Sequence, residues 1–337
     1  MAIAQRALGS AGPRVSALGL GCMGMSDMYG PADRAESIAT IHAALDAGIT
    51  LLDTGDFYGM GHNELLIREA LTGRRREQVL ISVKFGALRD PAGAWLGYDS
   101  RPAAVRNFLA YSLRRLGIDH VDIYRPARLD PAVPIEDTVG AIADLIKAGQ
   151  VRYIGLSEVG AATLRRASAV HPIADLQIEY SLISRGIEGG ILPACRELGI
   201  GITAYGVLSR GLISGHWSTD RSAGIADPRE FRARSPRFQG ENLQRNLRLV
   251  EKLRGVAASI GASVAQVAIA WVASQGDDIV PLVGARTRER LAESLGALAL
   301  RLTPQQLRLL AEAAPASEVA GERYAPAQLA HMDSERR

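Results

Sequence analysis

The chain has 337 residues, 47% of them hydrophobic and 22% charged, a composition typical of a folded globular protein. Its formal charge is only +3, and the basic residues are scattered among acidic ones, which argues against nucleic acid as a partner. The two cysteines, Cys22 and Cys195, form no C-x-x-C pair, so we expect neither a disulfide framework nor a metal site. This cysteine usage fits a reducing cytoplasm.

The sequence predicts no targeting or membrane segment. Residues 1–15 lack a continuous apolar stretch with a cleavage signal, and nowhere do eighteen apolar residues run together without charges or helix-breaking residues. We therefore expect a soluble, cytoplasmic protein with one domain over residues 1–337 and no membrane partner. No pattern in the sequence indicates the oligomeric state.

Short runs rich in Val, Ile and Leu recur along the chain, each followed by apolar residues at helical spacing, which is the pattern of repeated βα units. Strands are predicted at residues 16–20, 50–53, 79–83, 121–124, 152–156, 175–178, 201–204 and 279–282. The clearest helices are predicted at residues 34–47, 101–116, 135–148, 189–198, 244–259 and 263–274. Glycines that suit a left-handed helix cap precede several strands: Gly48, Gly117, Gly149 and Gly199.

Three segments depart from this rhythm. Residues 5–8 and 14–17 flank turn residues and predict a β-hairpin that closes the bottom of a barrel. Residues 206–243 form a long stretch rich in Ser, Arg, Gly and Pro, which predicts a cofactor or substrate loop because loops of that length are usually functional. Residues 315–337 form a C-terminal tail.

Two folds compete for the βα pattern. Residues 19–24 (GLGCMG) match the G-x-G-x-x-G pattern of a doubly wound dinucleotide-binding sheet. That fold needs the third glycine in the opening turn of a helix, whereas residues 25–31 read as a loop and helical spacing resumes only near Arg34. Eight βα units without a linker to a second domain favour a (β/α)8 TIM barrel.

Ionisable side chains follow two early strands. Asp53 and Lys84 end apolar runs, and Tyr58 follows Asp53 closely. Because the carboxyl ends of barrel strands converge, we expect the three side chains to meet. An ammonium lowers the pKa of a nearby phenol from about 10, and Asp53 would keep Lys84 in place and charged. The set predicts a general acid; the alternative is a plain buried ion pair with Tyr58 as a loop aromatic.

The chain resembles the aldo-keto reductases over essentially its whole length. The resemblance is carried by residues 19–25 (GLGCMGM), 53–59 (DTGDFYG), 155–158 (GLSE), 177–180 (QIEY) and 280–284 (VPLVG). It implies a (β/α)8 barrel that binds NADPH or NADP+ in extended form and exchanges a hydride with a small-molecule carbonyl or alcohol. Tyr58 would be the catalytic acid, supported by Lys84 and Asp53.

The resemblance also implies where the cofactor binds. Ser157 and Gln177 resemble the pair that holds the nicotinamide carboxamide, with Glu158 where many members have Asn, and Tyr205 resembles the aromatic that stacks on the nicotinamide. The residues that resemble the pyrophosphate strap are Leu208, Ser209, Arg210 and Gly211. Those at the adenosine and its 2′-phosphate are Arg286, Arg290 and Glu293, and Gly21, Met23 and Gly284 are further candidates. Arginines there favour NADPH over NADH; the alternative is a solvated helix face.

Two positions depart from the family. Most members carry a histidine after the fourth strand that helps to hold the substrate carbonyl, and this chain has Ala127. Arg125, on the same strand face one layer deeper, is a candidate to reach into the vacated space; the alternative is an arginine that bridges barrel carboxylates. His62 is a second possible substitute or a pocket-rim residue. Gly206 replaces a common serine and removes a hydroxyl near the cofactor.

The substrate pocket is expected to be apolar and aromatic, which suits a hydrophobic or flat substrate. Its candidate residues are Met23, Met25, Phe57, Trp95, Arg125, Ala127, Trp217 and Tyr324. The leading function is an NADPH-dependent carbonyl reductase, or the reverse oxidation. A redox-sensing or regulatory subunit and a barrel lyase or isomerase are the alternatives, and the substrate itself is not indicated.

Overall fold

A computed structural model gives the structure of residues 3–26, 28–74, 76–223, 225 and 230–336. Its strands, in chain order, are β1 (Gln5–Ala7), β2 (Arg14–Ser16), β3 (Gly19–Gly21), β4 (Leu51–Gly55), β5 (Leu80–Phe85), β6 (Ala87–Arg89), β7 (Trp95–Tyr98), β8 (Val121–Pro126), β9 (Val151–Ser157), β10 (Ile173–Glu179), β11 (Gly201–Tyr205) and β12 (Ile279–Gly284). Strands β3, β4, β5 and β8 to β12 pair in parallel and in chain order, and β12 pairs with β3 to close a barrel. The predicted (β/α)8 barrel is confirmed.

The helices are α1 (Arg34–Asp46), α2 (His62–Leu71), α3 (Pro102–Leu116), α4 (Ile135–Lys147), α5 (Ala161–Val170), α6 (Ile191–Leu198), α7 (Thr219–Ala223), α8 (Gly240–Ile260), α9 (Val264–Ala273), α10 (Arg288–Gly296), α11 (Pro304–Ala313) and α12 (Pro326–Leu329). Their ends follow local chemistry. Asp33 caps α1 by accepting the Glu36 amide, and Ser263 and Gln266 form a capping box at α9. The glycines after α1, α3, α4 and α6 all have positive φ, as predicted from the sequence.

The doubly wound alternative is wrong. Strand β3 leads into a 3-10 turn, Met23–Met25, and not into the N-terminus of a helix. The glycine pattern of residues 19–24 therefore lacks the helix end on which a dinucleotide-binding sheet holds its pyrophosphate.

The N-terminal hairpin closes the bottom of the barrel, as predicted. Strands β1 and β2 pair antiparallel. Leu8 and Val15 are fully buried against Leu51, Ile123 and Val280, which lie near the start of barrel strands. Burying each such side chain stabilises the fold by about 1.5–3 kcal/mol. The hairpin thus covers the end of the barrel opposite to the loops that follow the strands.

Helices cover the outside of the barrel. In α4, the buried residues Ile135, Val139 and Ile142 recur at helical spacing and form one face of the core. Helix α9 is buried almost all round. Among the residues with described structure, no single helix is long and apolar enough to cross a membrane; α8 and α9 satisfy that test only as a pair, and they meet at a bend of 83°.

The long segment after β11 is more ordered than a plain loop. It contains 3-10 turns at Ser209–Ser214, Phe231–Arg234 and Pro236–Phe238, together with α7. Helix α8 begins at Gly240, four residues before the predicted residue 244, so the segment ends earlier than expected. The tail returns to the barrel mouth, where Gly160 donates its amide to Asp333 Oδ2 at 2.8 Å.

Candidate active site

The barrel brings Asp53, Tyr58 and Lys84 together at the mouth. Asp53 lies in β4, Lys84 in β5, and Tyr58 opens the 3-10 turn after β4. Lys84 Nζ forms a buried ion pair with Asp53 Oδ1 and lies 5.2 Å from the centroid of the Tyr58 ring. The three residues are 3%, 4% and 7% exposed in the order Asp53, Lys84 and Tyr58. The expected grouping of an acid, a base and a phenol is therefore present.

Asp53 is the centre of this group. Its Oδ2 accepts hydrogen bonds from Ser82 Oγ at 2.9 Å and from Gln177 Nε2 at 2.8 Å. Parallel pairing aligns Asp53 with Ser82 on β5. Because both carboxylate oxygens are occupied, Asp53 holds Lys84 in one position, and Gln177 keeps its amide oxygen for another partner.

Burial governs the titration of the phenol. It raises the pKa of Tyr58 well above 10, the Asp53 carboxylate raises it further, and the positive charge of Arg128 acts in the opposite direction. Burial also lowers the pKa of Lys84, and the Asp53 charge opposes that shift. The expectation that Lys84 would bring the pKa of Tyr58 below its ordinary value is therefore wrong. Tyr58 is protonated at neutral pH, as a proton donor must be.

Arg125 does not line the pocket, which corrects the expectation that it reaches the space beside Ala127. It is 0% exposed, and its Nη2 lies 3.1 Å from Asp175 Oδ2 and 2.9 Å from Ser82 Oγ. Gly155 makes room for this pair, because a Cβ there would approach Asp175 Oδ1 to 2.6 Å. The alternative, an arginine that bridges barrel groups, is correct.

Of the other candidates for the substrate pocket, some lie near Tyr58 and others do not. Phe57 and Trp95 lie by Tyr58: ring centroids are 4.8 Å apart for Phe57 and Tyr58 and 5.7 Å for Phe57 and Trp95. Met25 is only 3% exposed and belongs to the main core. Trp217 packs edge-on against a phenylalanine and beneath arginines of the long segment, so its contacts do not support a place by Tyr58.

His62 lies at the rim. It begins α2, and its Nδ1 is 2.8 Å from Ser26 Oγ while its Nε2 is 3.5 Å from Arg34 Nη1. Both ring nitrogens thus point to surface partners. The rim interpretation fits these contacts better than substitution for the missing histidine does.

Glu158 ties the C-terminal tail to the mouth. Arg323 Nη1 and Nη2 grip its two carboxylate oxygens at 2.9 and 2.5 Å, and Ser334 Oγ donates to it at 2.6 Å. Tyr205 also donates to Glu158, at 2.6 Å, and its hydroxyl lies 2.7 Å from that of Tyr324. Burial favours a higher pKa for Glu158, but the Arg323 charge and hydrogen bonds more than offset it and lower the pKa to about 2.

Arg210, one of the expected strap residues, pairs with a second buried carboxylate, Glu179. Arg210 Nη2 lies 2.9 Å from Glu179 Oε2, and Arg237 Nη1 lies 3.5 Å from Glu179 Oε1. Gly206 has φ of 65°, and a Cβ there would meet Glu179 Cγ at 3.1 Å. The close approach of Glu179 therefore requires a glycine at position 206. The absence of a serine hydroxyl is a consequence of that packing.

Two glycines lie at the ends of the neighbouring strands β3 and β12. Gly21 and Gly284 are paired in register at the ends of β3 and β12, and Gly284 is exposed. Met23 follows in the 3-10 turn and is half-buried. In the strap, Ser209, Arg210 and Gly211 have successive positive φ values of 46°, 58° and 94°, Ser209 is fully buried and Leu208 precedes them. Gly21 and Gly284 therefore place no side chain at these two strand ends.

Two of the expected cofactor arginines, Arg286 and Arg290, follow β12. Arg286 Nη1 donates to the carbonyl oxygens of Tyr29 at 2.9 Å and Pro31 at 3.1 Å, and Arg290 Nη1 lies 2.6 Å from His216 Nε2. Glu293 accepts from Arg290 at 3.2 Å and lies 2.9 Å from His216.

Sequence reasoning missed two members of this arginine cluster. Burial, followed by the positive charges of Arg232, Arg286 and Arg290, lowers the pKa of Arg221. Three arginines thus repel Arg221, and among the described residues Glu230 pairs with Arg232 and Glu293 with Arg290. Guanidinium groups suit a phosphate-bearing ligand, because they form forked hydrogen bonds to phosphate oxygens. Arg221 and Arg232 lie in the predicted cofactor loop, and its arginine content was the signal available in the sequence.

A family model, a curated relative and solved structures all match nearly the whole chain. The family model described as "Aldo/keto reductase family" matches residues 17–315. "Probable aldo-keto reductase 1" of Glycine max is 42% identical over 318 residues, which cover 94% of this chain and 90% of that protein. The solved glycerol dehydrogenase AKR11B4 of Gluconobacter oxydans is 29% identical with a TM-score of 0.82, covering 93% of this chain and 95% of that one. A thermostable aldo-keto reductase, Tm1743, solved with the inhibitor epalrestat, is 25% identical with a TM-score of 0.72, covering 92% and 100%.

Proposed function

The chain belongs to the aldo/keto reductase family, and from that premise we propose that it is an NADPH-dependent carbonyl reductase with Tyr58 as its general acid. The family acts on small-molecule carbonyl compounds with a nicotinamide cofactor as an oxidoreductase. The observation that carries the finer proposal is the buried phenol of Tyr58, packed against a Lys84 ammonium that Asp53 holds in place.

NADPH, when bound, supplies the hydride. Tyr58 gives its proton to the carbonyl oxygen as negative charge develops there, because an alkoxide is far more basic than a phenolate. Lys84 stabilises the phenolate that remains, and Asp53 keeps that ammonium charged in a buried place. The low exposure of all three keeps water from competing for the proton. In the reverse direction, Tyr58 is the base that removes the proton of an alcohol.

Residues around the mouth would hold the cofactor. Ser157 and Gln177 lie side by side in the pairing of β9 with β10 and offer a hydroxyl and an amide to the nicotinamide carboxamide. Tyr205 ends the next strand and offers its ring. The arginine cluster around Arg286 and Arg290 supports NADPH over NADH, since a 2′-phosphate would satisfy guanidinium groups that repel one another.

A steady-state assay of NADPH consumption across aldehydes, quinones and α-dicarbonyls tests the proposal. Tyr58→Phe should lower kcat by about 100- to 10,000-fold while leaving the NADP+ dissociation constant unchanged. Tyr111→Phe is the matched control, because that tyrosine is 57% exposed on α3 and should turn over like the unchanged protein.

Ala127 favours one other function. Without the usual histidine, the chain is also a candidate for a cofactor-occupied redox sensor or regulatory subunit. Tight NADPH binding with no turnover that depends on Tyr58 would favour the sensor and contradict the reductase. Failure to bind NADPH at all would contradict both and point to a lyase or isomerase.

A further inference from the structure

Arg128 directly follows Ala127, two residues beyond the end of β8. Its Nη1 donates to the Ala127 carbonyl oxygen at 2.6 Å and lies 3.5 Å from Ser157 Oγ. The centre of its guanidinium lies 6.0 Å from the centroid of the Tyr324 ring. These contacts place a half-buried cation over the mouth, between the ends of β8 and β9, and not on the outer surface.

The negative charge of Glu158 acts on Arg128 only from beyond ion-pair distance, because Glu158 is paired with Arg323. Arg210, Arg237 and Arg323 all lie within 3.5 Å of carboxylate oxygens of Glu179. Among the residues whose structure is described, no carboxylate forms an ion pair with Arg128, and its polar partners are two neutral oxygens bound through one nitrogen. A guanidinium has five N–H donors on three nitrogens, and within the described part of the chain Nε and Nη2 of Arg128 have no hydrogen-bond partner, so both can bind an oxygen of a ligand.

The charge of Arg128 acts on the proposed acid. It lowers the pKa of Tyr58 against the larger effect of burial, and it lowers the pKa of Lys84 as well. The side chain of Ala127 is a single methyl group and offers no hydrogen-bond donor of its own. A cation with no carboxylate in ion-pair distance among the described residues thus adjoins Ala127, the position of the family's imidazole, and its charge acts on the phenol.

We propose that Arg128 is a catalytic residue that donates a hydrogen bond to the substrate carbonyl oxygen. It would take the role of the histidine that most family members carry at the position of Ala127. This inference rests on the proposed reductase function. A permanently charged donor stabilises the developing oxyanion more than a neutral one does. Because the guanidinium is a fork, substrates with a second oxygen on the adjacent carbon, such as α-dicarbonyls and α-keto acids, gain the most from it.

Arg128→Met tests the proposal with 2,3-butanedione and benzaldehyde as substrates. We expect kcat/KM for butanedione to fall by about 100- to 1000-fold, with an unchanged NADPH dissociation constant. Arg128→Lys should keep more of the benzaldehyde activity than of the butanedione activity, since an ammonium cannot form the fork. Arg101→Met is the control, because Arg101 is an exposed residue paired with Asp99.

Two rescue experiments separate a chemical role from a structural one. Added guanidinium ion should restore part of the turnover of Arg128→Ala, and Ala127→His should restore at least about tenfold in an Arg128→Met background, as a replaced donor would. Arg128→Met with kcat/KM within threefold of the unchanged protein would overturn the proposal. If Tyr58→Phe is inactive in that case, the reductase function stands and only the role of Arg128 fails.

The pH profile supplies a readout that packing alone would not move. The charged and titratable groups that face Tyr58 include Asp53, Lys84, Arg128, Tyr29 and Tyr324. Loss of the Arg128 cation removes a charge that lowers the pKa of Tyr58, so that pKa rises. Alcohol oxidation by Arg128→Met should therefore need a higher pH than oxidation by the unchanged protein. An unshifted profile would contradict the placement of Arg128 beside the reacting oxygen.

Discussion

Arg125 inside the barrel and Arg128 at its mouth differ in how their charges are balanced. In the interior, Arg125 pairs with Asp175, both residues are 0% exposed, and Thr203 also donates to Asp175 at 2.5 Å. At the mouth, Arg323 and Arg210 are paired with Glu158 and Glu179, whereas Arg128 has no carboxylate within ion-pair distance among the described residues. A buried charge needs a partner within the protein, whereas a half-buried cation facing an open site is available to a ligand.

The two layers are connected through one hydroxyl. Ser82 Oγ accepts from Arg125 Nη2 and donates to Asp53 Oδ2, each at 2.9 Å. The interior layer therefore supports the carboxylate that positions Lys84. The paired charges therefore hold the site residues in place, and a cation without an ion-pair partner indicates where a ligand is expected to bind.

Arg125→Met should have the largest effect on folding. It leaves Asp175 buried without a cation, and breaking such a pair costs about 3–5 kcal/mol in the free energy of unfolding. Urea unfolding monitored by circular dichroism measures this cost. The double variant Arg125→Met, Asp175→Leu should recover most of the loss, since no charge is then left unpaired. Equal unfolding midpoints for Arg125→Met and the unchanged protein would remove the distinction between the layers.

Glu158→Gln should have the next largest effect, and the effect depends on pH. The folded-state pKa of about 2 lies below the ordinary 4.5, so the ionised carboxylate contributes stability above pH 4.5 that is lost as the pH falls toward 2. That shift corresponds to about 3 kcal/mol at pH 7. Urea unfolding at pH 7 and pH 3 should show a large difference between the variant and the unchanged protein at pH 7 and a smaller one at pH 3. A difference that does not change with pH would show that the tail is held by other contacts.

Arg290→Gln tests the excess positive charge at the far end of the mouth. Loss of one hydrogen bond to a charged group is worth about 1.5–3 kcal/mol, so the dissociation constant for NADPH should rise at least about tenfold. The constant for NADH should not change. Arg288→Gln is a matched control on the same helix, because Arg288 pairs with Glu36 instead. Equal losses for NADPH and NADH, measured by fluorescence titration, would contradict a phosphate site here.

Thr303→Ala should have the smallest effect. It removes the N-cap of α11, which is on the scaffold outside both charged layers, and should cost about 1 kcal/mol in the free energy of unfolding. Thermal unfolding measures that loss, and kcat/KM should stay as in the unchanged protein. A fall in kcat/KM greater than the loss of folded protein would show that the scaffold and the mouth are coupled more strongly than the two layers suggest.

The sequence by itself determined the barrel and the main site group. Hydrophobic spacing, helix caps and glycines before strands are local signals, so the strands and most helices were predictable within a few residues. Asp53 and Lys84 end apolar runs, and in a barrel every such end faces the same mouth; their proximity followed from topology alone.

Only the tertiary structure decided which arginine faces the mouth. Alternation along β8 placed Arg125 and Ala127 on one face, but the partner of Arg125 is Asp175, fifty residues away in sequence, and its distance could not be read from the segment. Arg128 follows the end of β8, where strand alternation no longer fixes the direction of a side chain. Pairing of charges is a non-local property, because it depends on which distant side chains share a buried space. For that reason the sequence predicted a missing donor at Ala127, and the fold identified the cation beside it.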